Sequence, residues 1–110
     1  MPYGPEQTVK QVMKLWDEEI RARVADGIMR IDSDMVMRRM TYKDEMLRKI
    51  KNEIKFNQSQ LRKTNADIAY FESQPKSDVS AQRILRDLRP DVDYYRTLID
   101  LYKAELAKAK

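Results

Sequence analysis

Met40, Leu47, Ile54, Leu61 and Ile68 stand seven residues apart in a stretch that contains neither Gly nor Pro. Residues at that interval return to one face of a helix packed on another, so the stretch predicts a long helix with a single buried seam. Three positions further on from each come Lys43, Ile50, Asn57, Thr64 and Phe71, so the second half of the seam is apolar at two positions and polar at three. A seam interrupted in this way specifies register and partner more than raw stability. Asn57 and Thr64 are therefore expected to fix register rather than to bind a ligand.

Two further helices flank this one. Helix A is predicted from Pro5, whose missing N–H is no loss in a first turn, with Glu6 near the positive end of the helix dipole. Its stripe of Val9, Met13, Trp16, Ile20, Val24, Ile28 and Ile31 advances by three or four residues at each step, the helical period. Gly27 could end the helix early, but Ile28 and Ile31 keep the phase, so helix A is drawn over about 5–31. Asp32, Ser33 and Asp34 then form the corner, all three being good cap residues, and helix B follows over about 34–73. The alternative is one continuous rod through both. Pro75 between serines marks a turn, and helix C covers about 79–109 on the heptad Leu85, Leu88, Val92, Tyr95, Ile99, Tyr102, Leu106 and Ala109, with a kink or break at Pro90.

The expected fold is all-α, a single domain over residues 1–110 built as an elongated three-helix bundle or helical hairpin with coiled-coil-like packing. Composition agrees: charged residues are 36% and hydrophobic residues 42%, with only two glycines, too few turn residues for a sheet protein.

Chemistry narrows the functions. The chain has no histidine and no cysteine, which removes the usual general base, the commonest metal ligand, thiolate chemistry and disulfides. Its serines lack a base and a glycine-flanked elbow, so no catalytic residue is assigned and the protein is expected not to be an enzyme. Asp32, Ser33 and Asp34 open like a calcium loop, but Val36 and Met37 stand where a ligand and the glycine belong. Gly4 and Gly27 cannot build a phosphate loop. No metal, no cofactor and no small-molecule substrate is expected. The longest run free of Asp, Glu, Lys and Arg covers residues 56–61, far short of the about 20 apolar residues of a membrane span. With no signal peptide visible, a soluble intracellular location is the expectation, which makes the Asn57, Gln58, Ser59 glycosylation triplet a chance match.

Partners are what remain. The net charge is +4 and the pI 9.3. Acid and base four apart, as in Asp17 with Arg21, Glu19 with Arg23, Asp44 with Arg48 and Glu45 with Lys49, account for much of the charge as ordinary helix surface. Residues 35–63 nevertheless hold nine Lys or Arg against three Asp or Glu. Arg48, Lys55 and Arg62 form one outward column there, a candidate nucleic-acid contact beside Lys49 and Lys63. A second column alternates aromatic and basic: Tyr42, Lys49, Phe56, Lys63 and Tyr70. It lies about 130° from the centre of the seam at about 100° per residue, so one antiparallel neighbour cannot cover both. Aromatic and basic residues concentrate at protein contacts, which makes this column the candidate partner-binding surface. Ile84, Tyr94, Leu98 and Leu101 give helix C a second apolar flank of its own. The methionines at 29, 35, 37, 40 and 46 are expected to fill the junction of helices A and B. The function expected is thus an assembly or adaptor protein that binds a protein partner, itself or a larger complex, with nucleic acid as the alternative partner and no membrane.

Overall fold

A computed structural model describes residues 4–26, 29–31, 37–39 and 41–110, with side chains described outside 24–40. The protein is an elongated all-α bundle. Helix α1 spans Pro5–Asp26, α2 spans Tyr42–Glu72 and α3 spans Val79–Ala109, with two short strands, β1 (Met29–Ile31) and β2 (Met37–Arg39), between α1 and α2. Its extents are 60 × 31 × 21 Å.

Local chemistry sets the ends of α2 and α3. The Thr41 hydroxyl accepts from the Asp44 N–H at 3.1 Å, and the Asp78 carboxylate accepts from the Ala81 N–H at 3.1 Å, each capping a first turn. At the far end of α2 the Ser73 hydroxyl donates to the Tyr70 carbonyl at 2.6 Å. Only six residues join the two helices, so α2 and α3 form an antiparallel hairpin.

Two expected boundaries are corrected. Helix A ends at Asp26 rather than near 31, immediately before Gly27, the residue type that loses most backbone freedom in a helix. Residues 29–31 pair instead with 37–39 as antiparallel strands, Met29 opposite Arg39 and Ile31 opposite Met37. A continuous rod from helix A to helix B is thereby excluded, and α2 begins at Tyr42 rather than near 34. The side chains of Val24, Ile28, Ile31, Met29, Met35, Met37 and Met40, and the Asp32 to Asp34 corner, lie outside the described residues. Of the two expectations at Pro90, the break is excluded, since the residue sits inside an unbroken α3. Leu85 and Ile99, on either side of it, are both buried, while Arg86 and Pro90 are exposed. Burial thus holds both halves against the bundle, and water can serve the Arg86 carbonyl that the proline leaves without its N–H.

The seam lies as the heptad places it: Ile50, Ile54, Asn57 and Thr64 are buried and Leu47, Leu61, Ile68 and Phe71 half-buried. The main core gathers Ile20 and Val9 of α1, Met46, Ile50 and Ile54 of α2, and Leu98, Ile99 and Tyr102 of α3. Trp16 packs on it with its ring 5.9 Å from that of Tyr102. Ala81 and Leu85 are buried further along the hairpin.

The direction of α1 follows from its contacts. The Thr8 and Tyr94 hydroxyls are 3.1 Å apart, and Trp16 meets Tyr102, so α1 and α3 advance together. Arg23 lies 3.7 Å from Glu45, and Lys49 lies 3.5 Å from Glu19, so α1 and α2 run in opposite directions. At about 1.5 Å per residue, Pro5 lies about 21 Å along α1 from Glu19, whereas Tyr70 lies about 31 Å along α2 from Lys49. Helix α1 therefore stops about 10 Å short of Tyr70, and the hairpin's distal end rests on two helices alone.

Asn57 and Thr64 do not bond across the seam. Asn57 Nδ2 donates to the Glu53 carbonyl at 2.9 Å, and Thr64 Oγ1 donates to the Gln60 carbonyl at 2.9 Å, each four residues back on its own helix. Those carbonyls already accept a helical N–H, so removing either side chain orphans nothing. Asn57→Leu is predicted to raise stability by about 1 kcal/mol, read as a higher midpoint in chemical denaturation. A lower midpoint would show that the amide is needed in the seam.

Candidate functional site

The five residues of the aromatic and basic column divide into two that α1 covers and three that it leaves open. Tyr42 is half-buried against α1, its hydroxyl donating to Asp17 Oδ1 at 2.5 Å. Arg21 reaches back one turn to the same carboxylate, Nε to Oδ1 at 3.0 Å, and its guanidinium lies 5.0 Å from the centre of the Tyr42 ring. The hydrogen bond from Tyr42, then the Arg21 charge, hold the Asp17 carboxyl below the usual carboxylate value. The same bond, with partial burial, holds the Tyr42 phenol above its usual value. Lys49 is also taken up by α1: its Nζ pairs with Glu19 and its side chain keeps only 15% of its exposure.

From Phe56 onward the column opens. Phe56 is 56% exposed and Tyr70 61%, and Lys63 between them is exposed. The Tyr70 ring meets that of Phe71 edge to face, with 5.1 Å between ring centres. One helix face thus carries two sealed positions followed by three open ones, and the open three lie along the hairpin's distal half.

The basic column divides as well. Arg48 makes a two-pronged pair with Glu45, Nε to Oε1 and Nη2 to Oε2 both at 2.8 Å, which raises the Arg48 pKa further above its ordinary value. Glu45 is 6% exposed and also meets Arg23, so this carboxylate lies in the joint of α1 and α2. Lys55 and Arg62 are exposed, and neither has an ion pair with a described residue. The stripe is therefore free at two positions and committed at the third.

Sequence spacing misassigned several of these pairs. Four-residue spacing paired Glu45 with Lys49, Asp44 with Arg48 and Glu19 with Arg23. The structure pairs Glu45 with Arg48 three residues on, and turns Lys49 and Arg23 across to the neighbouring helix. Among the described residues Asp17 with Arg21 is retained, and the side chains of the expected pairs Asp26 with Arg30 and Asp34 with Arg38 lie outside them. Nothing in one helix's sequence marks a cross-helix partner, so the burial of Glu45 and the Asp17 bond to Tyr42 carried no local signal.

Among the described residues no group of three Asp or Glu could hold a metal ion, and no described helix is long and apolar enough to cross a membrane. Compared with protein-family models, curated proteins and solved structures, the chain matches none of them significantly.

The Asp17 and Tyr42 pair generates a pH prediction. The lowered carboxyl contributes stability above about pH 4, lost as pH falls through its folded-state value; the raised phenol contributes below about pH 10, lost as pH rises through its own. Tyr42→Phe should move the Asp17 titration up toward the ordinary carboxylate value while Arg21 still holds it partly down. It should also weaken the alkaline loss of stability. Carboxyl-carbon NMR titration and unfolding against pH check both; an unmoved Asp17 titration would mean that the bond contributes nothing.

Proposed function

We propose that this chain is a non-enzymatic assembly or adaptor protein that works through protein–protein contacts, as a homo-oligomer or as a small subunit of a larger complex. One observation carries the reading: the column that α1 covers at Tyr42 and Lys49 continues uncovered through Phe56, Lys63 and Tyr70. Water beside two exposed rings is unfavourable, and covering a ring stabilises by about 1.5–3 kcal/mol. Aromatic rings with a basic residue between them are the composition of a contact centre, and the rigid hairpin beneath holds them at fixed spacing. The absence of histidine and cysteine from the sequence accords with a role that needs no chemistry.

A second reading has its own observation. Lys51, Lys55, Arg62 and Lys63 are exposed without an ion pair to a described residue, so this length of α2 could also track phosphates. Salt separates the two: a phosphate contact weakens steeply as salt rises, and an aromatic contact does not.

The test is elution in a native extract and as purified protein. Wild type is predicted to elute well above its 13.1 kDa in at least one of the two, at low and high salt alike. Phe56→Ala with Tyr70→Ala should weaken the association about tenfold or more without changing helix content. Elution at monomer mass in both settings, or an assembly that only dissolves with salt, would overturn the reading.

A further inference from the structure

We infer that the distal half of α2 docks on the same segment of a second copy, antiparallel about a two-fold axis level with Asn65. This rests on the reading of Phe56 and Tyr70 as a contact face, and it names what covers them.

The face is self-complementary. Beside the column of Phe56, Lys63 and Tyr70 runs a column of small residues, Ser59, Ala66 and Ser73, also seven apart, and all six are exposed. Asp67, likewise exposed, flanks Lys63 one turn on. An antiparallel copy centred at residue 65 pairs positions whose numbers sum to about 130. Tyr70 then lies over the partner's Ser59, Phe56 over the partner's Ser73, and Lys63 beside the partner's Asp67, and each of these contacts occurs twice. Small residues let two helices approach to about 8 Å, and the rings fill the hollows they leave.

Neither Lys63 nor Asp67 has an ion pair with a described residue, so both charges are available. Base before acid is also the poorer order within one helix. Neighbouring registers are worse: centring on residue 63 sets Lys63 against the partner's Lys63, and centring on 67 sets Asp67 against the partner's Asp67. Sterics select the same centre. Helix α1 covers the face at Tyr42 and Lys49 and the hairpin turn begins at Ser73, so the exposed stretch from Phe56 to Ser73 is centred near 65. In an antiparallel pair the two α1 helices also lie toward opposite ends.

The native chain has no cysteine, so single-cysteine variants report geometry directly. The Cα atoms of Ala66 in the two copies would be offset by only about 3 Å along the axis, and those of Ser59 by about 18 Å. Under mild oxidation Ala66→Cys is expected to form a disulfide dimer and Ser59→Cys is not, since a disulfide spans about 4.4–6.8 Å between Cα atoms. Sedimentation should show wild-type dimer at high micromolar concentration. Lys63→Asp or Asp67→Lys alone should shift it to monomer, and the two together should restore it. Equal cross-linking of the two cysteine variants, or a double charge swap that stays monomeric, overturns the dimer. If Phe56→Ala still disperses an assembly while Ala66→Cys fails to cross-link, the contact face stands and serves a different protein. If neither has an effect, the contact reading falls as well.

Discussion

The length of α1 is the constraint on which the rest depends. At 22 residues against 31 in each hairpin helix, it can lie along only part of the α2 and α3 pair. Where it lies, three helices enclose Ile20, Ile50, Leu98 and Tyr102, and the Tyr102 phenol is so far from water that its pKa is pushed well above the usual value. Where α1 stops, the hairpin continues on the seam alone. The same face of α2 changes from interior joint at Lys49 to surface at Phe56 without any change in its sequence period.

Charge fixes where α1 sits more than it strengthens the sitting. Asp17 with Tyr42, Glu19 with Lys49, and Glu45 between Arg23 and Arg48 bind α1 to α2 at three levels. Asp17 and Glu19 keep 37% and 43% of their side-chain exposure, so water screens them and their pairs contribute little, about 0–1 kcal/mol each, while the apolar stripe of Val9, Trp16 and Ile20 carries most of the burial. An apolar stripe alone tolerates sliding along a hairpin groove. Ion pairs at separate levels penalise it, because displaced carboxylates would meet the wrong neighbours. Asn57 and Thr64 play a different part: bonded to their own helix, they soften the seam without selecting a partner across it.

The hairpin was legible in the sequence because its information is periodic. Seven-residue spacing located the buried face of α2, and Pro75 between serines marked the turn before α3. What failed was local and short. Ile28 and Ile31 kept a helical phase beyond Asp26, yet residues 29–31 are paired as a strand, since phase records which face is apolar and not whether the backbone stays helical. The aromatic and basic column was visible as a column. Its division was not, because that depends on which positions of α2 the neighbouring α1 covers, which pairs such as Lys49 with Glu19 decide across 30 positions of sequence.

The central claim is that Tyr42 and the pair Phe56 and Tyr70 share one column but not one role. Hydroxyl-radical footprinting of all three rings across a dilution series tests it most directly. The account predicts slow modification of Tyr42 at every concentration, and fast modification of Phe56 and Tyr70 in dilute protein that slows as concentration rises. Equal reactivity of the three rings, or reactivity of Phe56 and Tyr70 that concentration leaves unchanged, would contradict it.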